Sequence, residues 1–233
     1  MKIVKRPAGE RGRTTLDWLD SRHTFSFGDY YDRAHMGFRA LRVLNDDIVE
    51  PGQGFGRHAH RDAEILSYVL EGRLEHKDSL GNGRVVERGD VQYMSAGTGV
   101  QHSEFNPSRT ERVHFLQIWI MPNEHGKAPR YADKRIATDA RPNAMTLLFS
   151  GEPRDGAIAI RADADVYIGR LETGARIDHA LGAKRGAWIH VVDGNVAIGG
   201  ESLAPGDGAA IEDATTFTIE SARGAELLVF DLA

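Results

Sequence analysis

Cysteine is absent from the 233-residue chain, which excludes disulfides, thiolate nucleophiles and Cys-ligated zinc. Any bound metal must therefore use imidazole and carboxylate. No apolar run approaches the roughly 18 residues that cross a bilayer, and the first twenty residues lack the apolar stretch and small-residue cleavage site of a secretory leader. A cytoplasmic, membrane-free protein is the expectation. A basic face is missing too: 29 Lys and Arg stand against 34 Asp and Glu, a formal charge of −5 with the signs mixed along the chain. Phosphate binding favours clustered cations, so nucleic acid is not an expected partner.

Glycine, by contrast, is plentiful. Its 26 residues fall between short segments rich in Val, Ile, Phe and Tyr, the pattern of strands separated by turns. Strands are expected over Phe38–Val49, Ile65–Leu70, Arg73–His76, Val91–Met94, Arg112–Met121, Ala187–Val192, Phe217–Glu220 and Leu227–Asp231. Helix should be confined to short pieces, with Tyr131–Asp139 the candidate. An internal repeat aligns Ser67–Leu74 with Ile189–Val196, and Glu87-Arg88-Gly89-Asp90 with Ala204-Pro205-Gly206-Asp207. Two β units in tandem would produce it, joined through the polar stretch Pro122–Asn143.

His58 and His60 follow the Gly-rich segment Gly52–Gly56, and His102 and Glu104 follow Gly97-Thr98-Gly99. On a strand, residues i and i+2 share a face. If the two strands lie side by side, three imidazoles and one carboxylate converge on one ion. Asp62 and Glu64 continue the same alternation, but the apolar run beginning at Ile65 suggests a bend near there, so Glu64 is assigned as a hydrogen-bond partner of the ligands rather than a ligand.

These positions also carry a family resemblance. Gly52, His58, His60, Glu64 and Gly72, then Gly89, Ser95, Gly97, His102 and Asn106, are similar to the two cupin motifs. Ile65 stands where many cupins have their ligand carboxylate, and Glu104 carries the carboxylate instead. That relocation, with His23-Thr24-Phe25-Ser26-Phe27, Leu41–Asp47, Met94–Gly99 and Gln117–Ile120, resembles the pirin family, strongly over residues 1–135 and more loosely over 145–233. The resemblance implies an all-β bicupin of two tandem jelly-roll barrels with few short helices. Residues 1–135 would form the metal-binding cupin and 136–233 a degenerate one without metal, since His179 and His190 stand alone. It also implies a His58, His60, His102, Glu104 centre for iron(II), although Ni, Co, Mn, Cu or Zn suit the same donors.

Bacterial pirin-like proteins described as quercetin 2,3-dioxygenases imply the activity: cleavage of a planar flavonol-like ring by O2 with loss of carbon monoxide, by a monomer. Glu104 is then the expected catalytic residue, both ligand and acceptor of the 3-hydroxyl proton. The competing reading is a redox-responsive iron protein that regulates a partner. A third is an isomerase or hydrolase using the ion as a Lewis acid, active without oxygen. Among the remaining conspicuous residues, Phe25, Phe27 and Phe55 are assigned to barrel packing ahead of lining a pocket, and Trp119 to the core. His76 and His114 are assigned as structural histidines, His23 to the pocket rim, and the Asp46-Asp47 pair, whose members point to opposite faces, to a structural role.

Overall fold

The computed structural model describes residues 1–136, 141–152 and 154–233. All the expected strands form: six run one or two residues further at one or both ends, whereas Phe38–Val49 begins only at Leu41 and Arg112–Met121 narrows to Val113–Ile120. They build two seven-stranded and two four-stranded sheets, with a single 3-10 turn at Ala8–Glu10 as the only helical element among the described residues. No helix is long and apolar enough to cross a membrane.

The chain makes four layers, and strand periodicity explains them. Along Val113–Ile120, Phe115 packs into the interior of the first barrel with Val49 and Val69. Leu116, Ile118 and Ile120 face the other way, into a core shared with Val166, Ile168, Trp188 and Phe230 of the second half. The two large sheets thus pack against one another through alternate side chains, and each closes a barrel with its own four-stranded sheet. A separate core of Ile189, Val191, Ile219 and Val229 fills the second barrel.

The repeat extends to its hydrogen bonds. Gly72 and Gly194 occupy the same turn at φ 71° and 72°, and a Cβ would stand 2.4 Å from the Arg112 carbonyl in one and 2.1 Å from the Gly224 carbonyl in the other. Only glycine tolerates both constraints. Asp90 and Asp207 cap equivalent turns by accepting the Glu87 and Ala204 backbone N–H groups, each at 3.0 Å.

The helix expected at Tyr131–Asp139 is corrected: Arg130–Arg135 is a strand pairing with Asp90–Ser95, and residues 137–140 lie outside the described residues. Alternation decides it, because Tyr131 stacks on His76 while Ala132 packs on the shared core. Lys2–Arg6 pairs with Gly208–Glu212 and so forms an edge of the second large sheet, although Gly12–Thr15 already belongs to the first.

Glu64 is a second correction. The chain leaves the His60 strand through Asp62 at φ 48° and enters the large sheet, where Glu64 shares its face with Leu66 and Tyr68, turned towards the second half. There it accepts hydrogen bonds from Tyr93 Oη, Ser95 Oγ (2.6 Å) and the Arg161 N–H (2.9 Å). It is a joint between the halves, not a support for the histidines. Glu64→Gln presents an amide N–H2 to three donors and should cost about 1–3 kcal/mol of stability in denaturant unfolding, with metal content unchanged.

Candidate metal centre

Val100–Phe105 lies between Gly54–His60 and Arg73–Asp78 in the small sheet of the first barrel, with His102 paired to His58 on one side and to Asp78 on the other. A bulge interrupts the first pairing: His102 opposes His58, but Glu104 opposes Phe55. The extra residue at Gly56-Arg57 bends the strand and leaves the Gly56 carbonyl 2.7 Å from His58 Nδ1. A carbonyl only accepts, so His58 Nδ1 carries the proton and Nε2 a lone pair.

His102 is fixed in a similar way, through His76. Asp78 Oδ2 lies 3.2 Å from His76 Nε2, which must carry the proton; His76 Nδ1 is then an acceptor, receiving Gln92 Nε2 at 3.3 Å. His102 Nδ1, 3.4 Å away, donates to it. His102 Nε2 is left with a lone pair, facing the lone pair of His58 Nε2 at 3.1 Å. Two lone pairs so placed repel unless a cation sits beside both. Nitrogens bound to one ion at about 2.1 Å and at right angles stand about 3 Å apart, which fits. The His60 ring is 4.7 Å from His58 and 4.8 Å from His102, centroid to centroid. Burial, reinforced by the neighbouring imidazoles, holds His60 down to about 4 and His102 to about 3, so both are neutral at pH 7.

The three imidazoles have ligand atoms within 4.8 Å of one another; Glu104 groups with His102 and His76 rather than with all three. Its carboxylate is fully buried and accepts from Gln117 Nε2 (2.6 Å), Ser67 Oγ (3.3 Å) and Gln92 Nε2 (3.3 Å).

Beside the histidines opens a cavity of about 210 Å³, bordered by His58, His60, Glu104 and the aromatic rings of Phe27, Phe55 and Trp119. Phe27 meets Trp119 edge-on at 5.5 Å, and Trp119 meets His60 at 4.8 Å. Trp119, Phe27 and Phe55 are therefore cavity walls, against their assignment to core packing, whereas Phe25 does pack, against Trp188. His23 borders the cavity as expected, held between Asn45 Oδ1 and Thr14 Oγ1, each at 2.9 Å. A larger depression of about 530 Å³ at Arg154, Asp165 and Arg185 is edged by ion pairs. Among the described residues, every group of three metal-ligating side chains lies in the first barrel, while His179 meets Asp231.

Two assignments change. His76 is not a lone structural histidine but the link between Asp78 and His102. His76-Lys77-Asp78 has the same strand spacing as His102-Ser103-Glu104, a signal present in the sequence. Asp46 and Asp47 do point oppositely: Asp46 is held low by Arg11 and His114 despite burial, whereas Asp47 borders the cavity, and nothing in strand periodicity distinguishes a cavity wall from a core position. Asp78→Asn, which unfixes the His76 tautomer, should weaken metal affinity by about 10–100-fold in a competition titration. An unchanged affinity would mean that the Asp78–His76 pair does not orient His102.

The family model described as Pirin matches residues 5–120, and that described as Quercetinase C-terminal cupin domain matches residues 147–232. A quercetin 2,3-dioxygenase of Escherichia coli is 50% identical over 99% of this chain and 98% of its own length. A pirin-like protein of Caulobacter vibrioides is 40% identical, covering 99% of this chain and 100% of its own. The crystal structure of the bacterial pirin YhhW from Escherichia coli in complex with nickel(II) superposes with a TM-score of 0.95 at 49% identity, over 99% of each chain.

Proposed function

Because the chain belongs to the pirin family, we propose that it is a metal-dependent dioxygenase that opens a flavonol ring with O2 and releases carbon monoxide. The observation that carries this reading is the 3.1 Å approach of His58 Nε2 to His102 Nε2, beside an aromatic-walled cavity. His58, His60, His102 and Glu104 would hold the ion. Iron(II) is the first choice, nickel(II) the comparison suggested by the solved relative, and cobalt, manganese, copper or zinc fit the same donors. When bound, such an ion supplies Lewis acidity and an electron-transfer partner for oxygen chemistry.

The chain's own residues do the rest. Phe27, Phe55 and Trp119 offer flat apolar walls that exclude water and orient a planar ring. The hydroxyl proton of the flavonol needs an acceptor, and three carboxyl groups border the cavity, the buried Glu104 and Asp47 and the exposed Asp29; the spacing of the sequence singles out Glu104. The protein is taken to act as a cytoplasmic monomer, without nucleic acid.

The test is elemental analysis of protein purified without added metal, followed by quercetin turnover with and without oxygen. Oxygen uptake matched by carbon monoxide supports the reading. Turnover without oxygen would replace it with Lewis-acid chemistry. A bound iron with no turnover, whose oxidation state changes binding to a protein partner, would replace it with the regulatory role.

A further inference from the structure

We propose that Asp47, rather than the ligand carboxylate Glu104, accepts the hydroxyl proton of the substrate. The proposal rests on the flavonol reading above and assigns its proton step to a side chain outside the metal cluster.

Glu104 receives three side-chain hydrogen bonds, from Gln117, Ser67 and Gln92, which occupy both of its oxygens. Asp47, 3% exposed, receives one, from Ser21 Oγ to Oδ1. Its Oδ2 has no hydrogen bond among the described residues, and the residue borders the same cavity as His58, His60 and Trp119. No hydrogen bond joins Asp47 to any of the four proposed ligands. Alternation along Leu41–Val49 puts it there: Asn45, Asp47 and Val49 face the barrel interior while Asp46 turns out to Arg11 and His114.

Its surroundings give the group an affinity for a proton that a solvated aspartate lacks. Burial pushes Asp47 up to about 7, and the charges of Asp46 and Glu104 add to that, against the lowering effects of the Ser21 hydroxyl and His114. The other ionisable groups at the cavity are His23, held neutral by burial, and the exposed Asp29 at its edge. A cation at the imidazoles would favour the ionised form of Asp47, which is the state a general base needs. In the step itself the O–H bond of the 3-hydroxyl breaks, its electron pair stays on the flavonol oxygen, and the proton bonds to Asp47 Oδ2. Ser21 holds the carboxyl in place through the oxygen that does not react.

The probe is 3-hydroxyflavone, whose single hydroxyl makes the proton count unambiguous. Its anaerobic binding to the metal-loaded protein is measured calorimetrically in two buffers of different ionisation enthalpy near neutral pH. Wild-type protein should release almost no proton to the buffer, and Asp47→Asn about one per flavonol bound. Asp47→Asn should keep its metal and lose about 10²–10³-fold in kcat/KM. Ser21→Ala removes the one bond that stabilises the ionised form and should move the acid limb of the kcat/KM profile to higher pH. If Asp47→Asn releases no proton and keeps kcat/KM within a few fold, or if Glu104→Gln rather than Asp47→Asn releases the proton, the inference fails while the dioxygenase reading stands. If wild-type protein neither binds nor turns over a flavonol, both fall.

Discussion

His102→Ala protein should leave purification nearly free of metal, with flavonol-dependent oxygen uptake lowered by about a thousandfold or more. His102 is the imidazole that stands beside both of the others. It faces His58 at 3.1 Å, its ring stands 4.8 Å from that of His60, and through Nδ1 it receives the orienting effect of Asp78 and His76. His58 is fixed independently by the Gly56 carbonyl, so the remaining imidazoles persist after the substitution but no longer surround a point. Stoichiometric metal in the variant would move the centre elsewhere.

The same geometry sets the acid behaviour. His60 at about 4 and His102 at about 3 sit below the ordinary 6.5 of histidine. In metal-free protein, these groups contribute stability that is complete above about pH 6.5 and is lost as the pH falls towards 4 and 3, because the unfolded chain takes up protons that the folded one refuses. The melting temperature of the apoprotein should therefore fall on acidification over that window. Bound metal should be held down to about pH 5, since few protons compete for the lone pairs above it.

What the sequence discloses here is whatever obeys the period of two. The His-x-His and His-x-Glu pairs, the left-handed glycine turns and the opposed directions of Asp46 and Asp47 all follow from strand geometry. A bend before Ile65 is legible, but not that it transfers the chain to a different sheet and turns Glu64 away from the histidines, because alternation is only valid within one strand. Trp119 and Asp47 escape for another reason: a residue facing a cavity and one facing a packed core occupy the same phase of the pattern. The pairing of Lys2–Arg6 with Gly208–Glu212 is a backbone event at a sheet edge. No side-chain pattern announces it.

Gly54→Ala should disturb the metal centre without altering any group proposed to bind metal. Gly54 opposes Phe105 where the two ligand-bearing strands pair, just beyond the bulge that aims His58. A Cβ there would stand 2.2 Å from the Glu104 carbonyl oxygen and 2.5 Å from Phe105 Cα. Both are backbone atoms, so no side chain can swing aside, and the strands themselves must separate. The shift falls on the pairing that sets Glu104 and Phe105 against the strand carrying His58 and His60, and overpacking of this kind costs about 1–3 kcal/mol. Metal affinity should drop by at least about tenfold, as it does when the support of a ligand is lost, with a lowered melting temperature in the apoprotein as well. An alanine variant that binds metal as tightly as wild type would mean that the spacing of these two strands does not determine the coordination geometry, and that the imidazoles of His58 and His60 reach the ion from a strand free to move.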